Sequence, residues 1–346
     1  MILQQLSEAP GPSGREEAVR QVVVEAIQDH VDSYRVDALG NCIALKKGTG
    51  QAAGGRPHRV MVSAHMDEVA LMIVQITGEG LLRFRKIGGI DDRVLPSKRV
   101  LVGEKRLPGV IGCKPVHLLK ESERGQVTAS DDLYIDIGAT SAEAAERLVQ
   151  RGDYAVFDTP YEAWPQGRLV KGKAFDDRAG CAVLVELLRG EAYPFDLYGV
   201  FTVQEEVGLR GARVAAYAVD PEAAIALEGT ICDDMPKKQD ESPTTVLGQG
   251  PSLTIMDRSV IADRRLVRLL VETAQAEGIP YQFKQPLMGS TDSGAIHLAR
   301  EGVPTTVVSI PSRYIHSPVT LVSLDDLENT VKLMRAALVK LADLEL

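Results

Sequence analysis

The stretch HRVMVSAHMD, residues 58–67, decides how the chain is read. Its first half is apolar and carries β-branched residues; its second half turns polar. A strand buried on both faces reads as such an apolar run and delivers its polar side chains only where it leaves the sheet. His65 and Asp67 are two residues apart, so an extended backbone places both on the same side. Upstream, SGREEAVRQVVVEAIQDH (13–30) has an apolar stripe at helical period through Val19, Val22, Val23, Ala26 and Ile27, and NCIALKK (41–47) reads as a strand. Ser13 and Glu16 have the spacing of a capping box, which predicts the start of that helix.

Downstream of this stretch the texture changes. From Glu68 to Tyr161, short strand candidates (LMIVQIT, LLRFRKI, RVLVG, LYIDIGA, DYAVF) are separated by Gly and Pro turns. One short helix, TSAEAAERLVQ, interrupts them, with Thr140 and Glu143 at capping-box spacing. After Gly167 helices and strands alternate again: RAGCAVLVELLRG, DLYGVFTV, GARVAAYAV, AAIALE, DRRLVRLLVETAQAEG, TTVVSI and SLDDLENTVKLMRAALVKLADL. Such alternation predicts a sheet covered by helices. The organisation expected is therefore an α/β domain built from residues 1–67 and 162–346, split by a β-rich insertion at 68–161. Residues 48–58 read as a loop.

The totals narrow the function. The 346 residues are 45% hydrophobic and 25% charged, and the net charge is −9. An acidic surface argues against nucleic acid and anionic membranes as partners, because both select clustered Lys and Arg. The four cysteines are widely spaced, with no C-x-x-C pair, which excludes zinc-knuckle and dithiol motifs and points to a reducing compartment. The start, MILQQLSEAPGPSG, lacks a basic, apolar leader, and no apolar stretch approaches the ~20 residues that span a bilayer. A cytoplasmic protein is expected.

The charged residues collect where the strand candidates end. His65 and Asp67 follow one, Asp176 and Asp177 open the helix after another, Glu205 and Glu206 follow FTV, Glu228 follows AIAL, and His316 follows TTVVSI. Taken singly, each has an ordinary structural reading: a core histidine, a helix N-cap, a solvated loop. Together they fall where open α/β sheets bind ligands, outside the carboxyl ends of the strands. Imidazole and carboxylate donors suit zinc, cobalt or manganese. There are too many carboxylates for one ion; two ions about 3.5–4 Å apart would use them, with one carboxylate bridging. An adjacent acid is then left over as general base.

In this order, H-x-D, D-D, E-E, a single acid and a late His resemble the co-catalytic zinc aminopeptidases. More closely, the chain is similar to peptidase family forty-two of the metallopeptidases, the tetrahedral, glutamyl and deblocking aminopeptidases, some of them named cellulase M or endoglucanase. The resemblance runs nearly end to end. It is carried by APGPSGREEAVR, SAHMDEVALMI, GGIDDRVLPSKRV, PGVIGCKPVHLL, LYIDIGA, GKAFDDRAGC, TVQEEVGLRGA, GSTDSGAIHLAREGVPT and SIPSRYIHSP.

The resemblance implies a mixed sheet sandwiched by helices. It implies two divalent ions, zinc or alternatively cobalt or manganese, with His65 and Glu228 on one, Glu206 and His316 on the other, and Asp176 bridging. Glu205 would be the general base, acting on a metal-activated water. Asp67 would orient His65 by hydrogen bonding, and Asp177 would shape the turn after Asp176 across a cis peptide bond. The implied reaction removes N-terminal residues from short peptides. The implied assembly uses the insertion to form dimers that build a tetrahedral dodecamer, with His117 a candidate contact across a subunit boundary. Many members carry Asp where this chain has Glu228, leaving Asp233 or Asp234 as alternative ligands. Arg313 and Tyr314, just before His316, could face a substrate or serve the structure. Two other functions compete with this one: a carboxylate-only glycoside hydrolase of endoglucanase type, which a single tryptophan, Trp164, equips poorly for stacking sugars, and a peptide-binding scaffold without catalysis.

Overall fold

A computed structural model describes residues 2–50, 59–236, 244–285 and 288–345. His58 and most of the loop expected at 48–58 lie outside these residues. Four parallel strands form the centre of an eleven-stranded mixed sheet, in the order Asp196–Thr202, Arg59–His65, Ala223–Cys232 and Thr305–Arg313. Antiparallel strands extend both sides: Cys42–Lys46 and Ser33–Val36 on one, Thr320–Ser323, Leu169–Gly172 and Glu162–Ala163 on the other.

The alternation of side chains across the pleat explains why both faces are covered. Val60, Val62 and Ala64 point into one core, and Met61 between them points into another. The first core is closed by the helices Leu3–Glu8, Glu17–Ile27, Phe175–Arg189, Arg264–Ala276 and Leu324–Leu341. The second is closed by Arg210–Val219 and Ser293–Ile296, whose small residues Ala212, Ala215, Ala216 and Ala295 bring the helices close to Met61, Val200 and Ala224. No helix among the described residues is long and apolar enough to cross a membrane.

Between Arg59–His65 and Glu162–Ala163 the chain forms a separate closed barrel of six antiparallel strands. These are Ala70–Ile76, Leu82–Ile87, Tyr134–Asp136, Leu107–Gly112, Arg99–Val102 and Tyr154–Phe157, in that order around the barrel. Leu71, Ile73, Phe84, Val100, Val102, Ile111, Ile135 and Phe157 fill it. Five of the six strands carry the apolar patterns read from the sequence. The sixth, LPGVIG, contains two residues that ordinarily break strands. Pro108 lies where its strand is paired on one side only, with Arg99–Val102, so its missing N–H costs no ladder bond to the other neighbour. At Gly109 a Cβ would stand 2.8 Å from Ile135 Cγ2, so close packing inside the barrel selects glycine there.

Two cap expectations are corrected. Ser13 and Glu16 do not form a capping box: Glu16 occupies the N-cap of Glu17–Ile27 with no side-chain cap bond, and Ser13 Oγ donates instead to Asp67 Oδ2 at 2.6 Å. The short helix Ala142–Glu146 is capped by Ser141, which accepts from the Ala144 N–H, rather than by Thr140.

Candidate metal centre

The parallel sheet splits open where the polar residues are. Arg59–His65 pairs with Asp196–Thr202 as far as His65 and Thr202, but with Ala223–Cys232 only from Val60–Ala223 to Ser63–Ala226. From there Ala223–Cys232 follows Thr305–Arg313 to its end. The gap holds His65 on one side and Glu228 on the other. Glu228 is therefore in mid-strand, four residues before Cys232, not at a strand end as the AIALE pattern suggested. Glu205 and Glu206 follow Thr202, and His316 follows Arg313 in a turn where its own φ is 57°. Asp176 and Asp177 stand at the head of Phe175–Arg189 in non-helical conformations, and the peptide bond between them is cis.

The structure brings six of the predicted side chains to one place. His65 Nε2 lies 3.4 Å from Asp176 Oδ1, 3.6 Å from Glu228 Oε2 and 4.0 Å from Glu205 Oε2. His316 Nε2 lies 3.3 Å from Asp176 Oδ2 and 3.5 Å from Glu206 Oε1. Two groups of three donors result, His65–Asp176–Glu228 and Asp176–Glu206–His316, and Asp176 belongs to both, one oxygen toward each. Ligand bonds of 2.0–2.2 Å in a tetrahedron put neighbouring donors about 3.3–3.6 Å apart, and the imidazole–carboxylate separations in both groups match that spacing. By donor type and spacing the residues fit two divalent ions. Neither group includes Asp233 or Asp234, and Asp234 is engaged by the Arg313 guanidinium at 2.5 and 2.9 Å. Arg313 thus has a structural partner, while Tyr314 is exposed with its hydroxyl against Met235 Sδ.

The tautomers of both imidazoles follow from their neighbours. His65 Nδ1 is 3.1 Å from the Asp67 carbonyl and His316 Nδ1 is 3.1 Å from the Gly89 carbonyl. A carbonyl only accepts, so each Nδ1 carries a proton and each Nε2 is turned to the site, where it has a lone pair to give whenever the ring is neutral. Asp67 reaches His65 mainly through its backbone; its carboxylate is 3.4 Å from Nδ1 and does further work. It accepts from the Glu205 N–H at 3.0 Å, the Glu206 N–H at 3.2 Å and Ser13 Oγ. Asp177 caps its helix through the Gly180 N–H at 3.0 Å and holds the His65 N–H at 3.1 Å. Of the two adjacent aspartates, one faces the imidazoles and the other ties helix to strand.

Sequence reasoning missed several residues around the centre. Asp292, buried at the head of Ser293–Ile296, donates its N–H to Glu228 Oε1 at 2.9 Å and accepts from Thr202 Oγ1. This leaves Glu228 Oε2 to face His65. Glu68 sits buried against Lys173, at 2.7 and 2.8 Å, and against Arg178 at 3.3 Å. These two cations flank the aspartate pair in the chain. Buried Glu16 accepts from the Gly14 N–H at 2.6 Å and the Gln204 N–H at 3.2 Å. His297 Nδ1 donates to the Ser293 carbonyl, His30 is exposed, and His117 lies on a short turn of the barrel between exposed Val116 and Leu118.

So many buried acids raise one another. Burial, then neighbouring carboxylates, push Glu205 and Glu228 well above the usual carboxylate range; burial raises Glu206 to about 7 against the pull of His316. Burial likewise takes Asp292 to about 6 and Glu16 to about 7, the latter against its N–H donors. Asp176 is the exception: burial works to raise it, but the two imidazoles hold it well below the usual range. On His316 burial works downward, yet Glu206 and Asp176 raise it to about 9. The charge this cluster complements is that of a cation.

The M42 glutamyl aminopeptidase family model matches residues 40–333. The lysyl aminopeptidase of Pyrococcus furiosus is 36% identical, over 99% of this chain and 98% of its own. Among solved structures, a TET aminopeptidase from the marine sediment archaeon Thaumarchaeota archaeon has a TM-score of 0.93 at 40% identity, covering 98% of this chain and 95% of its own. The Pyrococcus horikoshii TET1 peptidase, which can assemble into a tetrahedron or a large octahedral shell, has a TM-score of 0.84 at 39% identity, covering 96% of this chain and 97% of its own.

Proposed function

The chain belongs to the M42 glutamyl aminopeptidase family, and from that premise we propose a dinuclear metalloaminopeptidase that releases N-terminal residues from short peptides. The observation that carries the dinuclear reading is Asp176, whose two oxygens face two separate imidazoles and belong to two separate donor groups. His65, Asp176 and Glu228 would hold one divalent ion, and Asp176, Glu206 and His316 the other. When bound, such ions supply Lewis acidity toward a peptide carbonyl and acidify a water. Zinc is the first choice for these donors, with cobalt and manganese as alternatives.

Glu205 is in neither donor group, and its Oε2 lies 4.0 Å from His65 Nε2. We read it as the proton carrier: it takes a proton from the attacking water and returns it to the leaving amine. A carboxyl held up by burial is suited to both halves of that exchange. Asp67 sets the backbone of the Glu205–Glu206 pair and, through its carbonyl, the ring of His65. The family is named glutamyl and the Pyrococcus furiosus relative is lysyl, so acidic and basic N-terminal residues are both candidate substrates.

For assembly we propose a homo-oligomer built through the barrel, with a tetrahedral dodecamer as the end state and the cytoplasm as its compartment. Sedimentation of the chain as a monomer at working concentration would refute the assembly. The function is tested with metal-stripped protein on a panel of aminoacyl-chromophore substrates and short peptides, then with zinc, cobalt or manganese restored. Activity lost on stripping and regained on reloading supports the proposal. Chelator-insensitive hydrolysis of a β-glucan would move it to the glycosidase reading, and peptide binding without turnover in loaded protein to the scaffold reading.

A further inference from the structure

We infer that Glu16 is a positioning residue for Glu205, holding the turn that carries the base; the inference rests on the function proposed above. The four consecutive N–H groups of residues 203–206, on either side of that base and at it, all go to side-chain oxygens. The Val203 N–H goes to Asn41 Oδ1 at 3.0 Å, the Gln204 N–H to Glu16 Oε1 at 3.2 Å, and the Glu205 and Glu206 N–H groups to the two oxygens of Asp67. The turn hangs on three side chains, all from the first 67 residues of the chain. The carbonyls of Val203, Gln204 and Glu205, by contrast, are taken by N–H groups of the segment that begins the next helix.

Gln204 is where this arrangement is most demanding. Its φ is 56°, the left-handed region, which is unfavourable for a residue with a Cβ. It needs a fixed acceptor to stay there, and Glu16 provides it from the N-terminus of Glu17–Ile27. Glu16 is itself fixed by the Gly14 N–H and is 2% exposed, so it has no freedom to follow a moving turn. Ser13 Oγ completes the bracket by bonding Asp67, and Tyr154 of the barrel donates to the Ser13 carbonyl at 3.1 Å. The segment 11–16 therefore links the helix, the strand end at Asp67, the turn of the base and the barrel.

The test separates positioning from helix capping. Glu16→Gln keeps an acceptor oxygen at the same reach. Glu16→Asp is a good N-cap but is one methylene too short to reach the Gln204 N–H. Glu16→Ala removes the acceptor and offers no cap. We expect Glu16→Ala and Glu16→Asp to lose about 10- to 100-fold in kcat with KM within about twofold, and Glu16→Gln to recover to within about threefold of wild type. Cobalt titration of stripped protein, followed by absorption, should give the same stoichiometry for all four proteins, and the melting temperature of Glu16→Asp should match wild type. Glu16→Asp as active as wild type would overturn the inference. So would Glu16→Gln as impaired as Glu16→Ala, or a loss in kcat that tracks only lost metal or lost folded protein. A wild type inactive on the whole panel would instead be a failure of the proposed function.

Discussion

Glu205→Gln isolates the proton carrier from the rest of the centre. The replacement is nearly isosteric, and Glu205 belongs to neither group of three donors, so two ions per chain should remain. General acid–base catalysis contributes typically 10²–10⁴-fold, so kcat should fall by about that factor, equivalent to roughly 3–5.5 kcal/mol in the barrier. Stability should move the other way. Burial, then the charges of Glu228, Asp292 and Glu206, hold the Glu205 carboxyl well above its ordinary value. A carboxyl whose pKa is raised in the fold binds more protons folded than unfolded, so the native state loses stability as pH rises above the unfolded value. An amide at this position has no such loss. Metal-stripped Glu205→Gln should therefore melt higher than stripped wild type at pH 8, and the difference should shrink as the pH falls toward 4.5. The assay is kcat on the preferred aminoacyl substrate, with metal content by mass spectrometry and melting temperature on the same preparation. A kcat within about threefold of wild type, with both ions in place, refutes the role. A kcat loss accompanied by loss of an ion refutes the separation of base from ligands.

The bridging reading predicts unequal effects of removing ligands: Asp176→Asn should weaken both ions, whereas His316→Ala should leave about one per chain, as counted after gel filtration. Gly229→Ala should act through the bridge without replacing a donor, because a Cβ there would lie 2.7 Å from Asp176 Oδ1 and 2.9 Å from its Cγ. We expect a destabilisation of about 1–3 kcal/mol, read by denaturant melts, together with weaker metal binding by titration. Glu16 gives a pH signature of its own. Its carboxyl, raised to about 7 from 4.5, makes wild type lose up to about 3 kcal/mol between pH 4.5 and 7. Glu16→Gln should lack that loss, so stability curves of the two proteins should converge at low pH and separate above it.

The α/β organisation was legible because each central strand is an apolar run and each covering helix an apolar stripe. Those patterns report burial on two faces or one, whatever the neighbours are. The barrel was legible as a change of texture, but the strand Leu107–Gly112 was not, since Pro108 and Gly109 signal a break unless the pairing on each side is known. Ser13 and Glu16 show the opposite error, a local pattern overruled by tertiary partners. An N-cap bond is worth about 1 kcal/mol, whereas a hydrogen bond to a buried carboxylate is worth about 1.5–3 kcal/mol. Ser13 accordingly turns to Asp67, and Glu16 to the Gln204 N–H.

The same difference in range explains what could be read of the site. His65, Asp176, Glu205, Glu206, Glu228 and His316 announce themselves by type and by place, polar residues at or beside apolar strands. Their supports do not. Asp292 reaches Glu228 across 64 residues and Glu16 reaches Gln204 across 188; in sequence each is an ordinary acid in an ordinary loop or helix start. The acid pairs show why both kinds are required together. Asp177 spends its oxygens on the N–H groups of His65 and Gly180, and Asp67 spends its own on those of Glu205 and Glu206. Backbone donors fix these two carboxylates, while Asp176 takes the Gly229 N–H at 3.2 Å and Glu205 stands across the site from it. Their oxygens are left facing the imidazoles and the space where cations and water would sit.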